Sequence, residues 1–437
     1  MGGMLSKSLK NVGSCIRNSK FFLMASRVRG ALAEVDRLDL RFASLKPENH
    51  SKGNVLLSFI NDPFFLKPGQ SPSTAHHHDW ESLQMAKTLL ELGYCVDVIN
   101  YNNTRFVPTK EYAILIDARW NLERLGPLLN KDCLKIMHID TAHWVFHNTA
   151  LLRRHLEFQQ RKKVTPHLRR LQHPNLAIQY ADCATMKGNE FTLGTFSFAD
   201  KPIYPIPTAA PVLYPWPERK DFEQCRKRFL WFGSGGLIHK GLDLVLDAFT
   251  DMPQYHLTVC GPIAEEKDFV QVYHKELYET GNIDTIGWVD VGSPKFVEIT
   301  NRCAGLIYPS CSEGRAGSVV IAMHAGLIPI VSYESGVDVD DFGYTLEDCS
   351  IEKIKECICM VAELPAAELK GRAKRAWESA RATHTKEKFA EEYRRSISKF
   401  IAAHRNNTIK SSKAPKTVSC EIERGVFPLD VEYKETQ

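Results

Sequence analysis

The sequence has no long hydrophobic run. Its longest early apolar stretch, residues 21–25, is far shorter than the ~20 residues of a membrane helix and too short for a signal-peptide core. The net charge is only +4, and no segment interleaves aromatic with basic residues, which argues against nucleic acid as a partner. With 437 residues, 43% of them hydrophobic, the chain is expected to form two globular domains.

Closely spaced cysteine pairs of the metal-binding or redox type are also lacking. The twelve cysteines are scattered, and the closest pair, Cys357 and Cys359, lies two residues apart in a helical pattern. Such side chains point in different directions, which suits neither a zinc knuckle nor a redox pair. We therefore expect a reduced, cytoplasmic compartment.

The first residues match one targeting pattern. Gly2 with Ser6 fits N-myristoylation, and Cys15 with the neighbouring basic residues would supply the second signal that a single acyl chain needs. A basic tail without an anchor is the competing interpretation, because so short a motif often occurs by chance. Peripheral membrane contact through the N-terminus is the hypothesis that this pattern raises.

Short apolar strands alternate with helical patterns from residue 54 onward, which predicts an α/β protein with parallel sheets. One of these predicted strands covers residues 176–179. Residues 204–217 contain five prolines and predict an extended linker. The expected organisation is a basic appendage over 1–50, one Rossmann-like domain over 51–215, a second over 216–385, a helix over 386–403 and a tail over 404–437.

Two glycine-containing turns each follow an apolar strand and precede a helix. The first, residues 233–236, leads to Lys240, and the second, residues 310–317, contains Glu313. Such turns aim backbone N–H groups and a positive helix end at an anion. A lysine can neutralise a diphosphate, and a carboxylate accepts hydrogen bonds from sugar hydroxyls. Each turn alone is equally compatible with an ordinary strand-to-helix junction, and the spacings of the dinucleotide fingerprint and of the P-loop are absent.

Taken together, the two turns resemble the donor domain of retaining glycosyltransferases of family 4, which have the GT-B fold. The resemblance rests on Lys240-Gly241, on Pro309-Ser-Cys-Ser-Glu313-Gly, on Ala322-Met323 and on residues 326–332, and it covers about residues 228 to 400. It implies two Rossmann-like domains facing a cleft, with a C-terminal helix crossing back to the N-terminal domain. The implied activity is metal-independent transfer of a hexose from a UDP- or GDP-linked sugar to a hydroxyl of a glycan, lipid or protein, with retention of configuration and without a cofactor.

The resemblance also implies which residues contact the nucleotide-sugar donor. They lie in the two turns, in the strand end between them and in one loop of the first domain: Gly69, Gly233, Ser234, Gly235, Gly236, Lys240, Trp288, Val289, Glu313, Gly314, Arg315, Ala316 and Gly317.

Two positions depart from the family pattern. Ile321 stands where the family has a second glutamate that binds the ribose, and Ser234 stands where it has an arginine after the first glycine. We expect Arg315 to supply the missing charge. The departures also motivate alternatives: a GT-B protein that binds without transferring sugar, or one that modifies sugar nucleotides as an epimerase does.

The first domain is expected to hold the acceptor. The predicted strand Leu134–Ile139 ends among polar side chains, and family members often carry a histidine near the transferred sugar here. His138, Asp140 and His143 therefore join Lys240 and Glu313 as catalytic candidates, although a structural role is the commoner one for a single histidine. The run of three histidines at residues 76–78 predicts a polar helix entrance rather than a metal site, because adjacent side chains diverge.

Overall fold

The computed structural model describes residues 40–74 and 77–413, with side chains up to residue 406. Gly2, Ser6, Cys15, His76 and the end of the predicted tail lie outside the described residues. Within the described ranges, none of the helices is long and apolar enough to cross a membrane.

The first domain is built on a seven-stranded sheet in the order β1-β3-β2-β4-β5-β6-β7. All neighbouring strands are parallel except β1 and β3. Its strands are β1 Phe42–Leu45, β2 Asn54–Phe59, β3 Cys95–Asn100, β4 Ile114–Asp117, β5 Leu134–Ile139, β6 Cys183–Lys187 and β7 Ile203–Ile206. Its α-helices are α1 His77–Glu91, α2 Asn121–Leu125, α3 Trp144–Lys162, α4 Ala177–Tyr180 and α5 Glu190–Gly194.

The second domain is built on a six-stranded, wholly parallel sheet in the order β10-β9-β8-β11-β12-β13. Its strands are β8 Arg228–Phe232, β9 His256–Cys260, β10 Ile283–Gly287, β11 Gly305–Tyr308, β12 Ile328–Ser332 and β13 Tyr344–Leu346. The remaining helices are α6 Phe222–Cys225, α7 Leu242–Thr250, α8 Lys267–Val272, α9 His274–Tyr278, α10 Pro294–Asn301, α11 Gly317–His324, α12 Ile351–Glu363, α13 Ala366–Thr383 and α14 Lys386–Lys413.

The central strands are continuous apolar runs because both faces of a parallel sheet are covered by helices. Strands β11 and β12 are buried along their whole length, and β8 is buried from its second residue. Since parallel strands end at the same edge, the turns that follow β8 and β11 lie side by side at the edge of the second sheet. This arrangement brings Lys240 and Glu313 together.

Helix α14 follows the second domain in sequence and packs against the first. Phe389, Tyr393, Ile397 and Phe400 recur at helical spacing, and all four belong to the core of the first sheet. The ring of Phe400 stacks on Tyr204 of β7 at a centroid distance of 4.8 Å. The two domains are therefore joined by this helix as well as by the proline-rich segment.

Several elements differ from the sequence-based expectation. Strand β1 lies inside the range predicted as an appendage, because its backbone pairs antiparallel with β3. The strand predicted at residues 176–179 is instead helix α4, a single turn whose backbone bonds locally. Strand β7 forms the beginning of the predicted linker, and α14 extends to Lys413, into the predicted tail.

Because α14 completes the core of the first domain, Phe389→Ala is expected to lower the free energy of unfolding by about 3–5 kcal/mol. The Phe389 side chain is fully buried, and the centroid of its ring lies 5.9 Å from that of the Trp80 ring. Urea denaturation checks the value, and Glu387→Ala, an exposed change on the same helix, should stay within about 0.5 kcal/mol of the wild type. A change below 1 kcal/mol for Phe389→Ala would contradict this role of α14.

Candidate functional site

A cleft of about 420 Å³ separates the two domains where strand ends of both sheets face each other. Asp140 follows β5 on one side, while Gly233 follows β8 and Glu313 follows β11 on the other. Cavities of about 770 and 810 Å³ occur beside the linker and between α3 and α12. The cleft is nevertheless the candidate site, because ligands of open α/β sheets bind beyond the carboxyl ends of the strands.

Lys240 and Glu313 form an ion pair at the floor of the cleft. Lys240 Nζ lies 2.7 Å from Glu313 Oε1 and donates to the Tyr308 hydroxyl at 2.8 Å. The hydroxyls of Tyr308 and Ser310 donate to the same carboxylate oxygen, at 3.0 and 3.1 Å. Three donors therefore converge on Oε1, and in the part of the chain that the structure describes no hydrogen bond reaches Oε2.

The electrostatics keep Glu313 ionised. Burial alone would raise its pKa, but the charges of Lys240 and Arg170, the nearby His239 and the hydrogen bond from Lys240 together outweigh burial, so the pKa of Glu313 lies well below its usual range. Burial and the neighbouring Glu313 raise the pKa of Tyr308 well above its usual value, so its hydroxyl keeps its proton and can donate. Burial also lowers the pKa of Lys240, an effect that Glu313 opposes.

The first turn presents fewer free amides than the sequence suggested. The N–H groups of Gly236 and Leu237 donate to Glu266 Oε1, at 2.5 and 3.2 Å. Glu266 comes from the loop after β9, and its carboxylate occupies the position that a ligand anion would take. Gly233 and Ser234 line the cleft, whereas Gly235 and Gly236 do not.

The loop that carries Glu313 is packed against the first domain. The N–H of Ala142 donates to the Glu313 carbonyl at 3.2 Å, and the Thr192 hydroxyl donates to the Gly314 carbonyl at 2.9 Å. A Cβ at Gly314 would lie 2.4 Å from the carbonyl oxygen of Asp140. Gly314 is therefore required for close contact between the domains, and it does not line the cleft.

Arg315 lines the cleft but bonds to backbone on both sides of it. Its guanidinium donates to the carbonyl of Gly188 in the first domain and, at 3.3 Å, to that of Gly336 in the second. Burial lowers the pKa of Arg315 to about 10, so the side chain stays charged at neutral pH. Its hydrogen bonds tie the two domains together.

The remaining donor-site candidates divide into two groups. Trp288, Ala316 and Gly317 line the cleft, and Gly317 lies close to the ring of His77. Val289 is buried in the apolar core beside β10, and Gly69 lies away from the cleft with open space around its Cα.

Of the candidates in the first domain, Asp140 lines the cleft. Burial would raise its pKa, but Arg119 and Lys187 outweigh that effect and hold the pKa below its ordinary value. The Arg119 guanidinium lies 3.4 Å from the Asp140 carboxylate. Asp140 is therefore an anion at neutral pH, facing the Lys240–Glu313 pair.

The two histidine candidates, His138 and His143, lie behind the wall of the cleft that Asp140 lines. His138 is fully buried, its Nδ1 lies 2.9 Å from the Thr185 hydroxyl, and burial lowers its pKa to about 4. His143 caps the N-terminus of α3 and packs on Phe196 and Phe198. Neither ring lines the cleft, although His143 borders a small pocket that also includes Asp140.

The histidine run reaches the cleft through His77 and His78. Possible ligand atoms of His77, His78 and Glu81 lie within 4.8 Å of one another, so an acid does complete this cluster. The Lys187 ammonium, however, lies 2.8 Å from Glu81 Oε2 and 3.2 Å from His77 Nε2. A cation is therefore already provided by the protein, which favours the polar helix entrance over a metal site.

Sequence reasoning missed Arg119, Arg170, Lys187 and Tyr308, all of which line the cleft. Tyr308 and Lys187 are the last residues of β11 and β6, and Arg119 follows β4 closely. Their positions at strand ends were a usable signal. Arg170 lies in an irregular segment, and no local pattern marks it.

Glu313→Gln is expected to destabilise the protein by about 3 kcal/mol at pH 7, because it leaves the buried Lys240 charge unpaired. The pKa of Glu313 is lower in the folded than in the unfolded chain, so the carboxylate contributes full stability above pH 4.5 and loses it as the pH falls further. The difference between wild type and variant in urea denaturation should therefore shrink between pH 5 and pH 3. Glu347→Gln, at an exposed ion pair, is the control and should change stability by less than about 1 kcal/mol. A pH-independent difference would contradict the assignment.

No protein-family model and no curated protein matches the sequence. Solved structures do match. The sucrose-phosphate synthase of Thermosynechococcus elongatus is 14% identical over 81% of this chain and 100% of its own, with a TM-score of 0.57. Anabaena HepE, solved in complex with UDP and glucose, is 13% identical over 80% of this chain and 100% of its own, with a TM-score of 0.51.

The chain also matches S. aureus TarM, at 14% identity and a TM-score of 0.44, and spans about half of that longer protein (64% of this chain, 54% of TarM). Identities this low establish the fold alone, so membership of retaining family 4 stays a prediction. The GT-B fold predicted from the two turns is confirmed: the chain shares the two-domain architecture of the sucrose-phosphate synthase and of HepE.

Proposed function

We propose that this protein transfers a hexose from a nucleoside diphosphate sugar to a hydroxyl group of a glycan, lipid or protein, with retention of configuration. The observation that carries the proposal is the meeting of Lys240 and Glu313, from two separate turns, in a cleft whose other wall holds Asp140. HepE, which has the same fold, was solved with UDP and glucose bound, and this supports a UDP-linked donor. A GDP-linked donor is the alternative that the experiment below also tests.

Lys240 and Glu313 bind different parts of the donor, the diphosphate and the sugar. Lys240, with the backbone amide of Ser234, stabilises the negative charge that develops on the leaving diphosphate, whereas the Gly233 N–H donates to the Cys260 carbonyl. Glu313 Oε1 is already saturated by three donors, so Oε2 is the oxygen that accepts hydrogen bonds from sugar hydroxyls. Positive charge at the diphosphate comes from side chains, so the proposed reaction requires no divalent metal and no cofactor.

The acceptor hydroxyl approaches from the first domain. Asp140 is ionised there and lies on the opposite wall of the cleft from Glu313, where its negative charge favours the positive character that develops on the transferred sugar. Closure of the two domains around the donor excludes water, which limits hydrolysis.

Lys240→Ala is expected to lower kcat/KM for sugar transfer by about 100-fold or more, because a charge on the leaving group is no longer stabilised. A thermal-shift screen of UDP- and GDP-linked hexoses first identifies the donor, since a bound ligand raises the melting temperature. Transfer of the labelled sugar from the identified donor to an acceptor is then measured. Lys295→Ala, which removes an exposed lysine of the same domain, is the matched control and should retain activity. A stable wild-type protein that binds no nucleotide-sugar would refute the proposal.

A second candidate is a GT-B protein that binds a nucleotide-sugar without transferring the sugar. Three observations favour it: Ile321 lines the cleft where the family has an acid, Ser234 replaces an arginine, and Glu266 occupies two amides of the first turn. Saturable donor binding, with neither release of the nucleoside diphosphate nor change in the sugar, would select this candidate over both the transferase and an epimerase-like activity.

A further inference from the structure

One arginine on the opposite wall of the cleft reaches the first turn, where Ser234 provides no positive charge. Arg170 belongs to the first domain, in the irregular segment between α3 and α4, and it lines the cleft. Its side-chain stem lies directly on the first turn: a Cβ at Gly236 would come within 2.6 Å of Arg170 Cγ and 3.1 Å of its Cδ. An arginine from one domain thus contacts the glycine turn of the other.

The backbone of Arg170 is held in an unusual conformation. Its φ of 70° lies in the left-handed region, which a residue with a long side chain rarely adopts. The Arg170 carbonyl lies 2.8 Å from His147 Nε2, and the His147 ring packs at 5.0 Å on that of His239, the residue before Lys240. Burial lowers the pKa of both histidines, so the two rings are neutral at pH 7. Nε2 of His147 donates to the Arg170 carbonyl oxygen.

Arg170 also differs from the other lysines and arginines that line the cleft, because each of those is already engaged by the protein. The pairs are Lys240 with Glu313, Arg119 with Asp140, Lys187 with Glu81, and Arg315 with the carbonyls of Gly188 and Gly336. Across residues 40–74 and 77–413, by contrast, no side chain lies within ion-pair or hydrogen-bond distance of the Arg170 guanidinium, although its charge is near enough to help lower the pKa of Glu313. Arg170 is therefore the cleft cation without a hydrogen-bonded partner among the described residues, while Lys240 keeps one N–H besides those that it donates to Tyr308 and Glu313.

We propose that Arg170 binds the diphosphate of the donor from across the cleft, in place of the arginine that Ser234 lacks. This inference rests on the proposed function, because it assigns a residue to the diphosphate of the same donor. A guanidinium offers a planar pair of N–H donors that matches two phosphate oxygens, and Lys240 adds a point charge on the other side. The diphosphate is then held by both domains, so its binding is coupled to closure of the cleft.

Binding of UDP and GDP, measured by isothermal titration, tests this role, with uridine and guanosine as the reference ligands. Arg170→Ala should weaken binding of the preferred nucleoside diphosphate by about 10- to 100-fold, the range for a lost hydrogen bond to a charged group. Binding of the nucleoside itself should not change. Arg170→Lys keeps the charge but loses the planar pair of N–H donors, so its loss of affinity should be intermediate.

Two further variants separate this role from a purely structural one. Adding Ser234→Arg to Arg170→Ala restores the charge at the position where the family has it, and it should recover most of the lost affinity. Arg153→Ala removes an exposed guanidinium of the same domain, which lies 3.1 Å from the Glu157 carboxylate and does not line the cleft, and should change the affinity less than threefold. Melting temperatures establish that each variant is folded, and Arg170→Lys decides the question if Arg170→Ala is not.

The outcomes are distinguishable. If the wild type binds UDP or GDP and Arg170→Ala binds it equally well, the role of Arg170 is refuted while the proposed function stands. An equal loss of nucleoside and diphosphate affinity would likewise refute it, since the effect would not be specific to phosphate. If the wild type binds no nucleoside diphosphate at all, both the proposed function and the proposed role of Arg170 are refuted.

Discussion

The buried ion pair between Lys240 and Glu313 is the interaction on which the arrangement of the cleft depends. Removing two charges from water is costly, and apolar residues of similar size would often stabilise a fold equally well. Here the cost is offset by the close approach of the charges and by the hydroxyls of Tyr308 and Ser310. The pair fixes the two turns relative to each other. It also leaves one carboxylate oxygen and one ammonium group at the cleft, which suits a ligand that carries both hydroxyls and phosphate.

The same loop connects this pair to the position of the domains. The backbone of Glu313 and Gly314 accepts hydrogen bonds from Ala142 and Thr192, and Arg315 donates to carbonyls of both domains. Ion pairs beyond the cleft, such as that of Arg161 with Asp243, reinforce the same closed arrangement. Separation of the domains would therefore alter the surroundings of Glu313 directly. The residues on the two walls of the cleft therefore belong to one site, although they come from different sheets.

The sequence predicted the fold and marked the two turns whose Lys240 and Glu313 meet in the cleft, because both depend on local patterns. Apolar runs followed by glycine turns mark strands of a buried parallel sheet, and position at a strand end brought Lys240 and Glu313 together. The rest depends on tertiary contacts that no local pattern encodes. Glu81 and Lys187 are 106 residues apart, and Glu266 reaches back 30 residues to Gly236. The error at residues 176–179 has a similar cause, since a run of four residues is too short to distinguish a strand from a helical turn.

The departures from the family pattern become consistent once the charges of the cleft are considered together. Glu266 places a carboxylate against the amides of Gly236 and Leu237, so the negative charge of a donor cannot lie at that end of the turn while Glu266 stays there. In the proposed donor complex the diphosphate is thereby directed toward Ser234 and Lys240, which line the cleft. An arginine on the opposite wall, as proposed for Arg170, meets this electrostatic constraint without an arginine at residue 234.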